Sequence, residues 1–200
     1  MNTASMTDRW DGGVSPYGQT WQKLMMWFFI VTDALLFAGF IASYGFARLG
    51  SDNWPVALDH FPVAYLTIMT FVLISSSVAM ACAVSAAKNQ DRAALIKFLF
   101  LTLIGGVIFL GMQGFEWATF ISEGGRPWGN EWGDRYFGAY FFLITGFHGT
   151  HVLIGALILA ITLFKSISGK IDANKVELAG LYWHFVDLVW VFVFGFFYLI

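Results

Sequence analysis

The stretch Tyr182-Trp183-His184-Phe185-Val186-Asp187-Leu188-Val189-Trp190 sets a histidine and an aspartate three residues apart inside an apolar run, Leu178 to Ile200. A charge at the centre of a bilayer costs at least about 2.5–3.5 kcal/mol, so ionisable groups there turn inward and take partners. The chain offers several. His148 and His151 share the same spacing between Phe137 and Phe164, Gln113 and Glu116 share it between Phe98 and Trp117, and Asp33 stands between Leu24 and Ala47. A three-residue step puts two side chains on one helix face.

Three kinds of chemistry are open to such a set: holding a proton, ligating a metal or haem, or packing helices through hydrogen bonds. The last is routine for an intramembrane histidine. His148 and His151 lie too close along one helix to serve opposite faces of one haem, although either could do so with His184. A carboxylate-bridged di-iron site would call for Glu-x-x-His on two helices, a motif this sequence lacks.

These residues need elements to position them. Hydrophobic residues make up 58% of the 200 and charged residues only 12%, half the usual share of about 25% in soluble domains, which points to an integral membrane protein. Five runs reach the roughly 20 apolar residues that a spanning helix requires: 24–47, 65–87, 98–117, 137–164 and 178–200. All four prolines fall outside them, so nothing breaks a helix in mid-membrane. The expected fold is an all-α bundle of five transmembrane helices, residues 24–200, as one domain after an N-terminal segment, residues 1–23. Met1 to Gln19 is polar and lacks the hydrophobic core of a cleavable signal, so the first run is expected to stay as a span. Tryptophans near the run ends, among them Trp10, Trp117, Trp132 and Trp183, read as interfacial anchors. No internal repeat of the kind that builds transporters is visible.

Basic residues fix the orientation. The N-terminal side holds Arg9, Lys23, Lys88, Arg92, Lys97, Lys165, Lys170 and Lys175, the opposite side only Arg48, Arg126 and Arg135, which predicts a cytoplasmic N-terminus and a C-terminus outside. A net charge of −2 without a basic block excludes nucleic acid as a partner. Cys82 is the single cysteine, so no intramolecular disulfide and no cysteine metal cluster can form. At 1.5 Å per residue, Asp33, His148, His151, His184 and Asp187 fall in one layer near the bilayer middle. They are expected to form a buried polar network, with Gln113 and Glu116 as a secondary polar pair near the outer end of the third helix.

Several stretches, in order, resemble subunit III of the haem-copper respiratory oxidases, the cytochrome c and quinol oxidases, from about Gln22 to Ile200. Met26-Trp27-Phe28-Phe29-Ile30-Val31-Thr32-Asp33 through Phe40 is similar to the family's first shared helix. Ser75-Ser76-Ser77 with Asp91-Arg92, then Gly105 through Phe109 with Gln113 and Glu116-Trp117, are similar to its second and third. Thr145-Gly146-Phe147-His148-Gly149-Thr150-His151-Val152-Leu153-Ile154-Gly155 and Tyr182-Trp183-His184-Phe185-Val186-Asp187 are the most distinctive. Two departures stand out. The long family form has seven helices, so five resemble the shorter bacterial form, and the first shared helix carries Asp33 where the family has Glu.

The resemblance implies a subunit with no redox centre and no cofactor of its own, in a complex whose haem and copper lie in partner subunits. Subunit I would be the main contact, beside subunit II and a small subunit IV, with bound phospholipid, in a bacterial inner membrane. It also implies support of proton uptake and protection of the oxygen-reducing centre. Three alternatives come from other classes: an accessory protein of nitric oxide reductase, a small membrane cytochrome using its own histidines, and a proton channel acting alone.

Overall fold

The computed structural model describes residues 20–57, 61–131, 133–169 and 172–199. Most of the N-terminal segment, with Trp10, and also Trp132 and Ile200, lie outside the described residues. The described residues form five helices long and apolar enough to cross a membrane: α1 Trp21–Leu49, α2 Val63–Lys88, α3 Arg92–Ser122, α4 Tyr136–Ile167 and α5 Ala173–Val193, the last continuing as a π-helical turn, Phe194–Leu199. The expected all-α membrane bundle is therefore the observed one.

Helices α3 and α5 begin well before their apolar runs because caps, not hydropathy, set where they start. The Asp91 carboxylate accepts from Ala94 N at 3.0 Å and starts α3 at Arg92 rather than Phe98. Asp172 accepts from Asn174 N at 3.3 Å and starts α5 at Ala173. Short polar side chains at the N-cap satisfy amide groups that the helix leaves free.

Helix α5 packs against α1, α2 and α4, while α3 joins α2 to α4. Helix α1 sits at the edge, burying only Asp33, Phe37 and Tyr44. Lipid tails are as apolar as leucine, so close approach and interhelical hydrogen bonds hold such a bundle together. Trp183 shows both. Its ring fills a slot between two glycines, since a Cβ on Gly106 would stand 2.5 Å from its Cη2 and one on Gly155 2.9 Å from its Cε3. Its Nε1 donates to Ser76 Oγ at 3.0 Å. The expected interfacial anchor is thus a fully buried link between α5 and α2. The reason is its glycine slot, which a helix-by-helix reading cannot show.

The half of the bundle at the C-terminal end of α1 is packed with rings. Phe120 and Phe141 lie 4.4 Å apart between centroids, Phe61 and Phe141 5.1 Å, and Phe137 and Phe197 5.6 Å. The π-helical turn brings Phe197 and Tyr198 into this cluster. On the same side, Asp134 ties two loops together, accepting from Ser51 Oγ at 2.6 Å while its amide donates to Asn53 O at 3.1 Å. The Ser51 hydroxyl, with the Tyr136 amide, holds the Asp134 carboxyl below its ordinary value.

Candidate functional site

The mid-membrane polar residues divide into groups. Helix α1 brings Asp33 to His151 of α4, with Oδ2 3.3 Å from Nε2, although the contact lacks hydrogen-bond alignment. Nδ1 of His151 lies 2.8 Å from Phe147 O, one turn back. A carbonyl only accepts, so Nδ1 carries hydrogen and Nε2 is the nitrogen that faces the acid. The Tyr182 hydroxyl donates to His151 O at 3.1 Å, joining α5 to the same place.

His148, on the same face of α4, meets no carboxylate. It is fully buried, 5.6 Å from Phe109 and 5.0 Å from Trp190 between ring centroids. Its Nε2 lies 3.2 Å from Val186 O, so that nitrogen is a donor, and Nδ1 has no partner. The ring of Phe37, 6.5 Å from His148 and 5.6 Å from His151, fills the space by both imidazoles.

His184 and Asp187 turn toward α2. Ser77 Oγ stands 2.6 Å from His184 Nδ1. Both Asp187 carboxylate oxygens are buried without a hydrogen-bond partner among the described residues. The sequence-level layer is thus an α1–α4 pair, a separate His148, and an α2–α5 set centred on Ser77.

Gln113 and Glu116 also part company. Glu116 Oε1 accepts from Tyr198 OH at 2.8 Å. Gln113 instead donates through Nε2 to Thr145 O at 2.5 Å, and Trp117 Nε1 donates to Thr145 Oγ1 at 3.0 Å. Four residues that complete these contacts, Ser77, Tyr182, Thr145 and Tyr198, were not among those singled out by spacing. One signal was present: a tyrosine hydroxyl or tryptophan N–H buried in apolar surroundings demands a partner.

No group of three or more His, Cys, Asp or Glu side chains that could hold a metal occurs among the described residues. At the N-terminal end of α1, Glu177 accepts from Lys23 Nζ at 2.9 Å and lies 3.5 Å from Lys88 Nζ, tying α5 to α1 and α2. A groove of about 250 Å3 opens nearby, lined among others by Gln22, Thr162, Lys165, Lys175 and Tyr182.

Residues 8–200 match the family model described as cytochrome c oxidase subunit III. The chain is 33% identical to a cytochrome c oxidase subunit 3 of Corynebacterium diphtheriae over 83% of its own length and 82% of that protein. It is 32% identical to one of Alkalihalophilus pseudofirmus, over 88% and 85%. A protein of Staphylococcus aureus named "Probable quinol oxidase subunit 3" is also 32% identical, over 89% and 88%.

Proposed function

Because the chain belongs to the cytochrome c oxidase subunit III family, we propose that it acts in a haem-copper terminal oxidase as the membrane subunit without a redox centre, stabilising the catalytic subunit and supporting its proton uptake. Its N-terminus is cytoplasmic, in a bacterial inner membrane, as its basic residues favour. Subunit I is its main contact, with subunit II and a small subunit IV in the same complex, and phospholipid fills its grooves.

One observation carries this reading: each buried histidine holds a backbone carbonyl of this chain. His148 Nε2 donates to Val186 O, and His151 Nδ1 donates to Phe147 O while its Nε2 faces Asp33 at 3.3 Å. Their role is to lock α1, α4 and α5 together, leaving oxygen chemistry to haem and copper in the partners. The N-terminal groove supports the proton-uptake part. Its lining includes Gln22, Lys165 and Lys175 together with Tyr182, whose hydroxyl donates to the backbone carbonyl of His151, the residue facing Asp33.

The test is purification of the tagged chain from its native membrane in mild detergent, with an optical spectrum and identification of what comes with it. A large haem-bearing membrane subunit should copurify, and the chain separated from it should show no haem band. A haem band that follows the isolated chain, or a nitric oxide reductase as the copurifying enzyme, would overturn the proposal.

A further inference from the structure

His184 differs from every other histidine and carboxylate in the middle of the bundle. Asp33, Glu116, His148, His151 and Asp187 are buried, whereas His184 is partly exposed on the outer face of the α2–α5 pair. Its Nδ1 is used by Ser77. No described residue of this chain hydrogen-bonds Nε2, the nitrogen left on the exposed part of the ring.

Depth decides what could. The helical span Ala173–Leu199 has its middle near Val186, so His184 lies about 3 Å from it at 1.5 Å per residue. Lipid headgroups and interfacial water begin about 15 Å away, beyond half of a hydrocarbon core of roughly 30 Å. Hydrocarbon tails offer neither donor nor acceptor, and an unmet polar group there is costly. A second copy would oppose Nε2 to Nε2, two donors or two acceptors, where His184 lies on the twofold axis. In an oxidase complex the occupant that supplies a mid-bilayer hydrogen-bonding group is a different membrane-spanning chain. The rim suits one: Ile74 and Ala81 on α2 and Leu188 and Val191 on α5 are exposed, giving an apolar strip with a small residue for close approach and one polar group at its centre.

We propose that the α2–α5 face around His184 and Ser77 is where a transmembrane helix of a partner oxidase subunit docks, with a hydrogen-bonding side chain at mid-bilayer depth engaging His184 Nε2. The inference rests on the oxidase-subunit reading and adds which face makes the contact.

The experiment uses the full complex in native membranes. A photoreactive benzoyl-phenylalanine replaces Ile74 or Val191 on this face, or Val107, exposed at the middle of α3 on another face. Irradiation should join the first two to the large membrane subunit and leave the third unjoined. Products with lipid or a second copy alone, or partner products only from Val107, overturn the inference. In parallel, His184→Leu should release the chain from the purified complex about 3- to 30-fold faster, the range a single interhelical hydrogen bond supports. His184→Gln, which keeps a donor and an acceptor, should restore retention. Equal retention of His184→Leu and the native chain overturns the inference too. If the native chain copurifies with an oxidase but crosslinks through another face, only the docking face is wrong. If it copurifies with no oxidase subunit, the functional reading falls with it.

Discussion

Glu116 and His184 each put a polar group into the bundle, and the chain treats them in opposite ways. Glu116 is sealed: it is buried, Tyr198 donates to Oε1 at 2.8 Å while Oε2 meets no described partner, and phenylalanines pack around Tyr198. His184 is only half enclosed, with Ser77 on one ring nitrogen and no described residue of its own chain on the other. A polar group enclosed within the chain specifies the chain's own fold, whereas one left open at mid-bilayer depth specifies a neighbour. The sealed region should therefore be costly to disturb in the isolated chain, and the open region costly only in the complex.

The largest effect should come from the sealed packing. Trp183→Ala empties the slot between Gly106 and Gly155 and frees Ser76, and should destabilise the isolated chain by about 3–5 kcal/mol, the usual cost of truncating a buried tryptophan, read by unfolding in denaturing detergent. A loss as small as that of a lipid-facing residue would break the contrast at its strongest point. Next is Tyr198→Phe, which leaves Glu116 Oε1 without its donor and should cost about 1–3 kcal/mol in the same assay. Combining it with Glu116→Leu should recover part of that loss, since the acceptor is then gone as well. His184→Leu should cost the isolated chain only about 0.6 kcal/mol, an average interhelical hydrogen bond in a membrane protein; a loss equal to that of Tyr198→Phe would show that His184 serves the chain's own fold after all.

The smallest effect lies outside the membrane. Ser51 holds the Asp134 carboxyl below its ordinary value. The stability this adds is therefore present above the ordinary aspartate range and fades as pH falls through the lower folded-state value. The site is exposed, so the gain is minor. Ser51→Ala should raise the Asp134 titration midpoint seen by NMR and flatten the acid limb of the melting profile slightly; an unmoved midpoint would show that the hydroxyl does not act on the acid.

Much of this was legible in the residues. Five apolar runs and the depth of Asp33, Glu116 and the histidines could be read directly, because length and polarity along a helix do not depend on its neighbours. Where α3 and α5 begin could not be, since their apolar runs start at Phe98 and Leu178 whereas the Asp91 and Asp172 caps start the helices at Arg92 and Ala173. Which polar group meets which was not legible. In Ser75-Ser76-Ser77, consecutive hydroxyls go to different fates: Ser76 takes Trp183 and Ser77 takes His184. That choice depends on how α2 is turned about its axis, and a helix apolar on every side carries no stripe to report it. Tyr198 reaches Glu116 from a π-helical turn, whose register cannot be read from a helical repeat of 3.6. Trp183 reads as an anchor in the sequence because its burial depends on glycines on two other helices.

The central claim is that this chain supports an oxidase whose chemistry lies in its partners. Its most direct test is a time course of oxygen consumption and proton uptake by the purified complex in vesicles, with and without this chain. The account predicts that the depleted enzyme begins reducing oxygen at nearly the full rate, then takes up protons more slowly and loses activity during turnover, and that adding the chain back restores both. No oxygen reduction at all in the depleted enzyme, its haem content unchanged, would contradict it.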